Sequence, residues 1–126
     1  MSGEGRLMSR AEIRAWIDTE GHIYSAPPPL SLARLSIAQV YREPLDILCE
    51  SMRRYAIPCT VYKVGPSLGY RADVLGLEPV AKAIKEFGPF RNPLRRQQVQ
   101  RFIDHLRIRP KVERPERRRA RQILGI

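Results

Sequence analysis

No apolar run in the 126 residues approaches the roughly 20 needed to span a bilayer, so no membrane partner is expected. The opening residues, M-S-G-E-G-R, lack the apolar core of an export signal. The expected location is therefore cytoplasmic, without secretion. Cysteine is scarce. Cys49 and Cys59 are too few for a disulfide framework, and with His22 and His105 as the only histidines they lack zinc-ligand spacing. Both are expected to be buried, reduced thiols. Acidic residues are also few, 13 against 23 basic ones, and the resulting charge of +10 suits a polyanion such as nucleic acid.

What is present suffices for one domain with a modest core, since 43% of the residues are hydrophobic. We divide the chain into an N-terminal extension (1–8), a folded domain (9–106) and a basic C-terminal tail (107–126). The domain opens with a capping box, in which Ser9 accepts from the N–H of Glu12 while Glu12 reaches back to Ser9. Ile13, Trp16 and Ile17 then form an apolar stripe, and Ala11 and Ala15 a smooth second stripe that a partner helix can approach closely. Gly21 is expected to end this helix by adopting positive φ. Glu20 and the last helical carbonyls would then project together, a suitable setting for a hard divalent cation.

The rest of the domain reads as strands and helices. His22 to Ala26 forms a short strand, stopped by Pro27, Pro28 and Pro29, and Leu30 to Tyr41 a longer one. Pro44 suits the first turn of a second helix that carries Leu45, Leu48, Cys49, Met52, Tyr55 and Ala56 at helical spacing. Residues 58–65 and 69–76 form a hairpin. Pro79 opens a third helix that buries Val80, Ala83, Ile84 and Phe87 and stops at Gly88. Asn92 and Pro93 cap a fourth, with Val99, Phe102, Ile103 and Leu106 on its apolar side.

The stretch Ile13 to Gly21, I-R-A-W-I-D-T-E-G, resembles the signature helix of the LAGLIDADG homing endonucleases. Ile13, Trp16 and Ile17 keep its apolar positions, Asp18 and Glu20 its acidic ones, and Gly21 its last. Ala15 stands at the usual central glycine. The expected element order matches the α-β-β-α-β-β-α unit of that family, an α+β fold with a saddle-shaped, twisted antiparallel sheet. With one motif and no internal repeat, the resemblance implies a homodimer joined through the motif helices at Ala11, Arg14, Ala15 and Asp18.

That resemblance implies an intron-encoded, nucleoid-associated nuclease of a prokaryotic cell. It would cut both strands of a long pseudo-palindromic double-stranded DNA site by metal-dependent hydrolysis. Glu20, aided by the Gly21 carbonyl, would hold Mg2+ or Mn2+. Gln39, in I-A-Q at the end of the second strand, would organise the attacking water. The family's lysine after the third helix is missing, and Arg95 or Arg96 is the candidate replacement.

Alternate side chains of the two hairpins would read DNA: His22, Tyr24, Arg34 and Ser36 on the first, Arg71 and Asp73 with Tyr62 or Lys63 on the second. Simple phosphate contact or solvation is the alternative for the arginines. His105 is expected on a helix face. The tail holds eight basic and two acidic residues, more than half the excess charge. It is either a solvated segment or a backbone-tracking arm in which residues 113–124 become helical on DNA. Two other functions remain open: a DNA-binding regulator without turnover, and an RNA-binding maturase acting on intron RNA.

Overall fold

A computed structural model describes residues 6–126; the first five positions of the N-terminal extension and of the export-signal reading lie outside the described residues. Nine elements follow in order: α1 (Arg10–Glu20), β1 (Gly21–Ala26), β2 (Leu32–Gln39), α2 (Arg42–Arg53), β3 (Thr60–Lys63), β4 (Tyr70–Leu75), α3 (Leu77–Phe87), α4 (Pro93–Arg107) and α5 (Pro115–Leu124). The fold is α+β, with an open four-stranded antiparallel sheet in the order β1-β2-β4-β3.

Local chemistry sets most boundaries. The capping box is formed, with Glu12 N–H on Ser9 Oγ at 3.1 Å and Ser9 N–H on Glu12 Oε1 at 2.9 Å. Asn92 Oδ1 accepts from Leu94 N–H at 2.9 Å and Pro93 follows directly. Gly21 ends α1 for a reason other than the one expected. Its φ is −80°, an ordinary extended value, but a Cβ there would lie 2.5 Å from the carbonyl oxygen of Ile17. Close approach, not handedness, requires the glycine. Gly88 closes α3 in the same way, 2.6 Å from Ile84 O.

Helices cover one face of the sheet. Ile23, Ala33, Leu35, Ile37, Ala72 and Val74 point into the core, where they meet Ile13 and Ile17 of α1, Leu45, Leu48 and Met52 of α2, Val80 and Phe87 of α3, and Phe102 and Leu106 of α4. The opposite face is bare. Edge strand β1 is shielded by α4, whose buried Gln98 accepts from the N–H of Ile23 at 2.9 Å. That bond satisfies a donor which otherwise invites another strand.

Two expectations are corrected here. Cys49 and Cys59 are buried but form a disulfide: the reversal after α2 brings their Cα atoms to 5.0 Å across ten residues. The tail is neither a free arm nor in need of DNA to become helical. Residues 115–124 form α5, packed on α3, with Ala120 fully buried and Gly125 closing it at φ 71°. Pro115 at the first helical position and Gly125 just past the last are signals for that helix.

Candidate nucleic-acid interface

The bare face of the sheet has three cross-strand rows, fixed by the register. Tyr24, Arg34 and Leu75 form the first, His22, Ser36, Asp73 and Thr60 the second, and Ala38, Arg71 and Tyr62 the third. In two rows an arginine lies over a tyrosine from the adjoining strand. The Arg34 guanidinium is 5.7 Å from the Tyr24 ring centroid and that of Arg71 is 5.1 Å from Tyr62. Such packing holds the long side chains against the sheet while leaving a positive charge on it. The Nε of Arg34 has no hydrogen-bond partner.

The middle row is different. Asp73, 5% exposed, accepts the hydroxyls of Ser36 and Tyr62, each at 2.6 Å. Arg71 Nε stands 3.2 Å from Asp73 Oδ1 without aligning its N–H on that oxygen, while Arg71 Nη2 donates to Asp73 Oδ2 at 3.5 Å. Burial and then the Asp73 carboxylate raise the Tyr62 phenol above its ordinary range. For Arg71, burial acts downward, but Asp73 and Tyr62 outweigh it and the guanidinium is held more firmly protonated than usual.

These contacts correct several expected base readers. Ser36 and Asp73 are buried and bonded to each other, so they organise the face rather than read from it. Lys63 pairs with Tyr70 and shares the parity of Val61, which places it on the core-side register, not the bare face. His22, Tyr24 and Arg34 stand on the bare face as expected, and Tyr62 and Arg71 are half-exposed there.

At one end of the sheet lies the C-terminus of α1. Gly21 pairs with Ile37, so Glu20, one residue before the ladder, and Gln39, two residues beyond Ile37, belong to the same end. Glu20 is exposed and has neither ion pair nor hydrogen bond among the described residues; Gln39 is half-exposed. Two of the last four helical carbonyls are not free, contrary to expectation. Ile17 O accepts from Gly21 N–H and from Arg95 Nε at 2.9 Å, while Asp18 O accepts from Asn92 Nδ2 and Arg95 Nη2.

Arg95 is therefore a staple and not a catalytic group. It is 4% exposed, joins the end of α1 to α4, and donates also to Gln98 Oε1 at 2.8 Å. Desolvation lowers its pKa, and Asp18 offsets this in part. Arg96 is exposed, in a groove lined by Ile84, Phe90, Val99 and Leu124 that includes neither Glu20 nor Gln39. Two residues assigned to a dimer interface also act within the chain. Arg14 donates to Phe87 O at 2.6 Å, satisfying the last turn of α3, and Asp18 accepts the backbone N–H groups of Arg91 and Asn92. Ala11 and Ala15 remain exposed on α1.

Gln98 is the residue that the sequence reading missed. Its Oε1 accepts from Ile23 N–H and Arg95, so its amide nitrogen faces His22 Nδ1 at 3.0 Å. Neutral His22 then carries its proton on Nε2. A polar residue at i, i+4 with Phe102, on the helix side bearing Leu106, was the available signal.

Among the described residues no three His, Cys, Asp or Glu side chains gather into a metal-ligand cluster, and no helix is long and apolar enough to cross a membrane. Comparison of the chain with protein-family models, curated proteins and solved structures finds no match.

Proposed function

We propose that this protein binds double-stranded DNA through the bare face of its sheet, as a homodimer, and cleaves it with divalent metal in the manner of the LAGLIDADG endonucleases it resembles. The observation that carries the reading is the bare face itself: a four-stranded antiparallel surface bearing Arg34 on Tyr24 and Arg71 on Tyr62, in a chain of charge +10. Antiparallel strands fit the major groove, and arginine is suited to the acceptor edge of guanine and to phosphate. The exposed Ala11 and Ala15 on α1 supply a smooth surface for a second copy.

Glu20 is an exposed carboxylate without a partner among the described residues, which fits a metal held between two copies, each contributing Glu20. Bound magnesium or manganese would neutralise charge on the phosphate during hydrolysis. Glu20 holds negative charge at the site, and Gln39 offers an amide able to orient water. A second reading, a DNA-binding regulator without turnover, is favoured by Arg95: its guanidinium is committed to α1 carbonyls and not to Glu20.

The test selects sites from a randomised duplex library in calcium, then adds magnesium to wild type and to Glu20→Gln. Cleavage by wild type alone, central to a palindrome, supports the nuclease. Tight palindrome binding without cleavage supports the regulator. No selected duplex, with binding to structured intron RNA, rejects both in favour of a maturase.

A further inference from the structure

The turn of the first hairpin and the segment joining α4 to α5 enclose a cleft of about 590 Å3. Pro29 and Ser31 line it from the turn, and Arg109, Lys111, Arg114 and Arg117 from the other side. No aspartate or glutamate contributes to its wall. The acids nearby in sequence are engaged elsewhere: Glu113 pairs with Arg121, and Glu116 accepts the N–H of Leu77 at 2.8 Å. Four cations thus share one concavity without a counter-charge in it.

Arg117 is the informative member. It is 1% exposed, and its terminal nitrogens donate to Ser31 Oγ and to the carbonyls of His105, Leu106 and Ile108. Its Nε–H is buried with no partner. Buried donors are rarely left unmade, because an unpaired one forfeits its hydration for nothing in return. Desolvation, then repulsion from Arg121, lowers its pKa, with Glu113 offsetting part of the effect and Arg114 adding to it. The ten-residue α5 begins beside this cleft, and its N-cap Arg114 supplies no side-chain acceptor to the first turn. An anion here gains the positive end of a helix and three exposed cations together, Arg109, Lys111 and Arg114, the last also donating to Pro29 O at 3.3 Å.

We propose that this cleft is a phosphate-binding site. Free inorganic phosphates and the phosphodiester backbone share the chemistry it recognises. The backbone as source rests on the DNA-binding reading above. The cleft adjoins the turn after Ala26, while Glu20 precedes Gly21 at the other end of β1, five residue steps or about 17 Å away.

The experiment follows backbone amides 109–117 and arginine Nε–H signals by 1H–15N NMR in the full chain. Sodium tripolyphosphate and a short duplex of arbitrary sequence are added separately to wild type and to the double variant Arg109→Gln, Lys111→Gln. Both residues are exposed, so the variant should retain the wild-type melting temperature. The expected result is that both ligands shift the 109–117 amides and the Arg117 Nε–H. The variant should bind tripolyphosphate about tenfold more weakly at low salt and lower the DNA salt slope by about 1.8 for two lost contacts. Shifts with tripolyphosphate but not with duplex uphold the site as one for free phosphate and count against the DNA reading. Duplex binding that leaves 109–117 and the salt slope unchanged overturns the site and keeps the DNA reading. Silence toward both ligands overturns the site as well.

Discussion

The arginines of the bare sheet face and those of the helical side carry the same charge and serve opposite purposes. Arg34 and Arg71 lie on tyrosine rings, partly hydrated; Arg34 keeps its charge available at the surface, while that of Arg71 is paired with the Asp73 carboxylate. Arg95 and Arg117 are almost wholly buried, and their guanidinium forks gather carbonyl oxygens at helix ends: Ile17 and Asp18 in one case, His105, Leu106 and Ile108 in the other. A positive charge in this chain is therefore not by itself a measure of nucleic-acid affinity. Part of the +10 is internal scaffolding, and it is the planar five-donor geometry of arginine that allows one side chain to satisfy several carbonyls.

Substitutions sharpen the contrast. The largest effect is expected for Arg117→Met, which removes its donors from His105 O, Ile108 O and Ser31 Oγ, leaves Leu106 O with Arg121 Nη1, and should cost about 3 kcal/mol of stability, read by urea denaturation. A variant as stable as wild type would show that water replaces the guanidinium without loss. Arg95→Met should cost about 2 kcal/mol, because Ile17 O keeps Gly21 N–H and Asp18 O keeps Asn92 Nδ2. The sheet-face pair should behave in reverse: Arg34→Gln is expected to change stability by under about 0.5 kcal/mol and to weaken duplex binding about tenfold, measured by fluorescence anisotropy. If Arg34→Gln unfolds the protein, the division between the two regions fails.

The smallest effect concerns pH. His105 Nδ1 lies 2.8 Å from Ser25 Oγ on the helical side, and desolvation followed by repulsion from Arg101 lowers its pKa, Arg117 adding to this and Asp104 opposing it. A depressed folded value means that the unfolded chain takes up the proton first. Stability is thus full above the ordinary value of 6.5 and declines as pH falls through it toward the folded value. Melting curves should show that decline in wild type and a flatter profile in His105→Gln.

Much of the architecture was legible before the coordinates. The capping box at Ser9, the Asn92–Pro93 start and the glycine stops at Gly21 and Gly88 depend on neighbours within four residues, and so do the alternation of β2 and the face assigned to His22, Tyr24 and Arg34. Glu20 and Gln39 reached one end of the sheet because a hairpin register follows from its two strands. Asp73 was misplaced for a different reason. Its parity was right, but parity does not reveal that Ser36 and Tyr62 enclose it from strands 37 and 11 residues away.

What the sequence alone determined is therefore the order of the elements from α1 to α4, the caps at Ser9 and Asn92 and the parity of the strands, since these rest on capping and periodicity that act locally; α2 stops at Arg53, short of the expected Tyr55 and Ala56, β2 spans Leu32–Gln39 rather than 30–41, and α3 opens at Leu77, before Pro79. Only the tertiary structure decided which arginines are buried, that Cys49 meets Cys59, and that the basic tail closes as α5 on the fold. Burying a guanidinium is favourable only where enough carbonyls converge on it. Those carbonyls come from residues as far as 78 positions away for Arg95, and for Arg117 the enclosing hydroxyl of Ser31 lies 86 positions away. A local pattern carries no trace of that convergence.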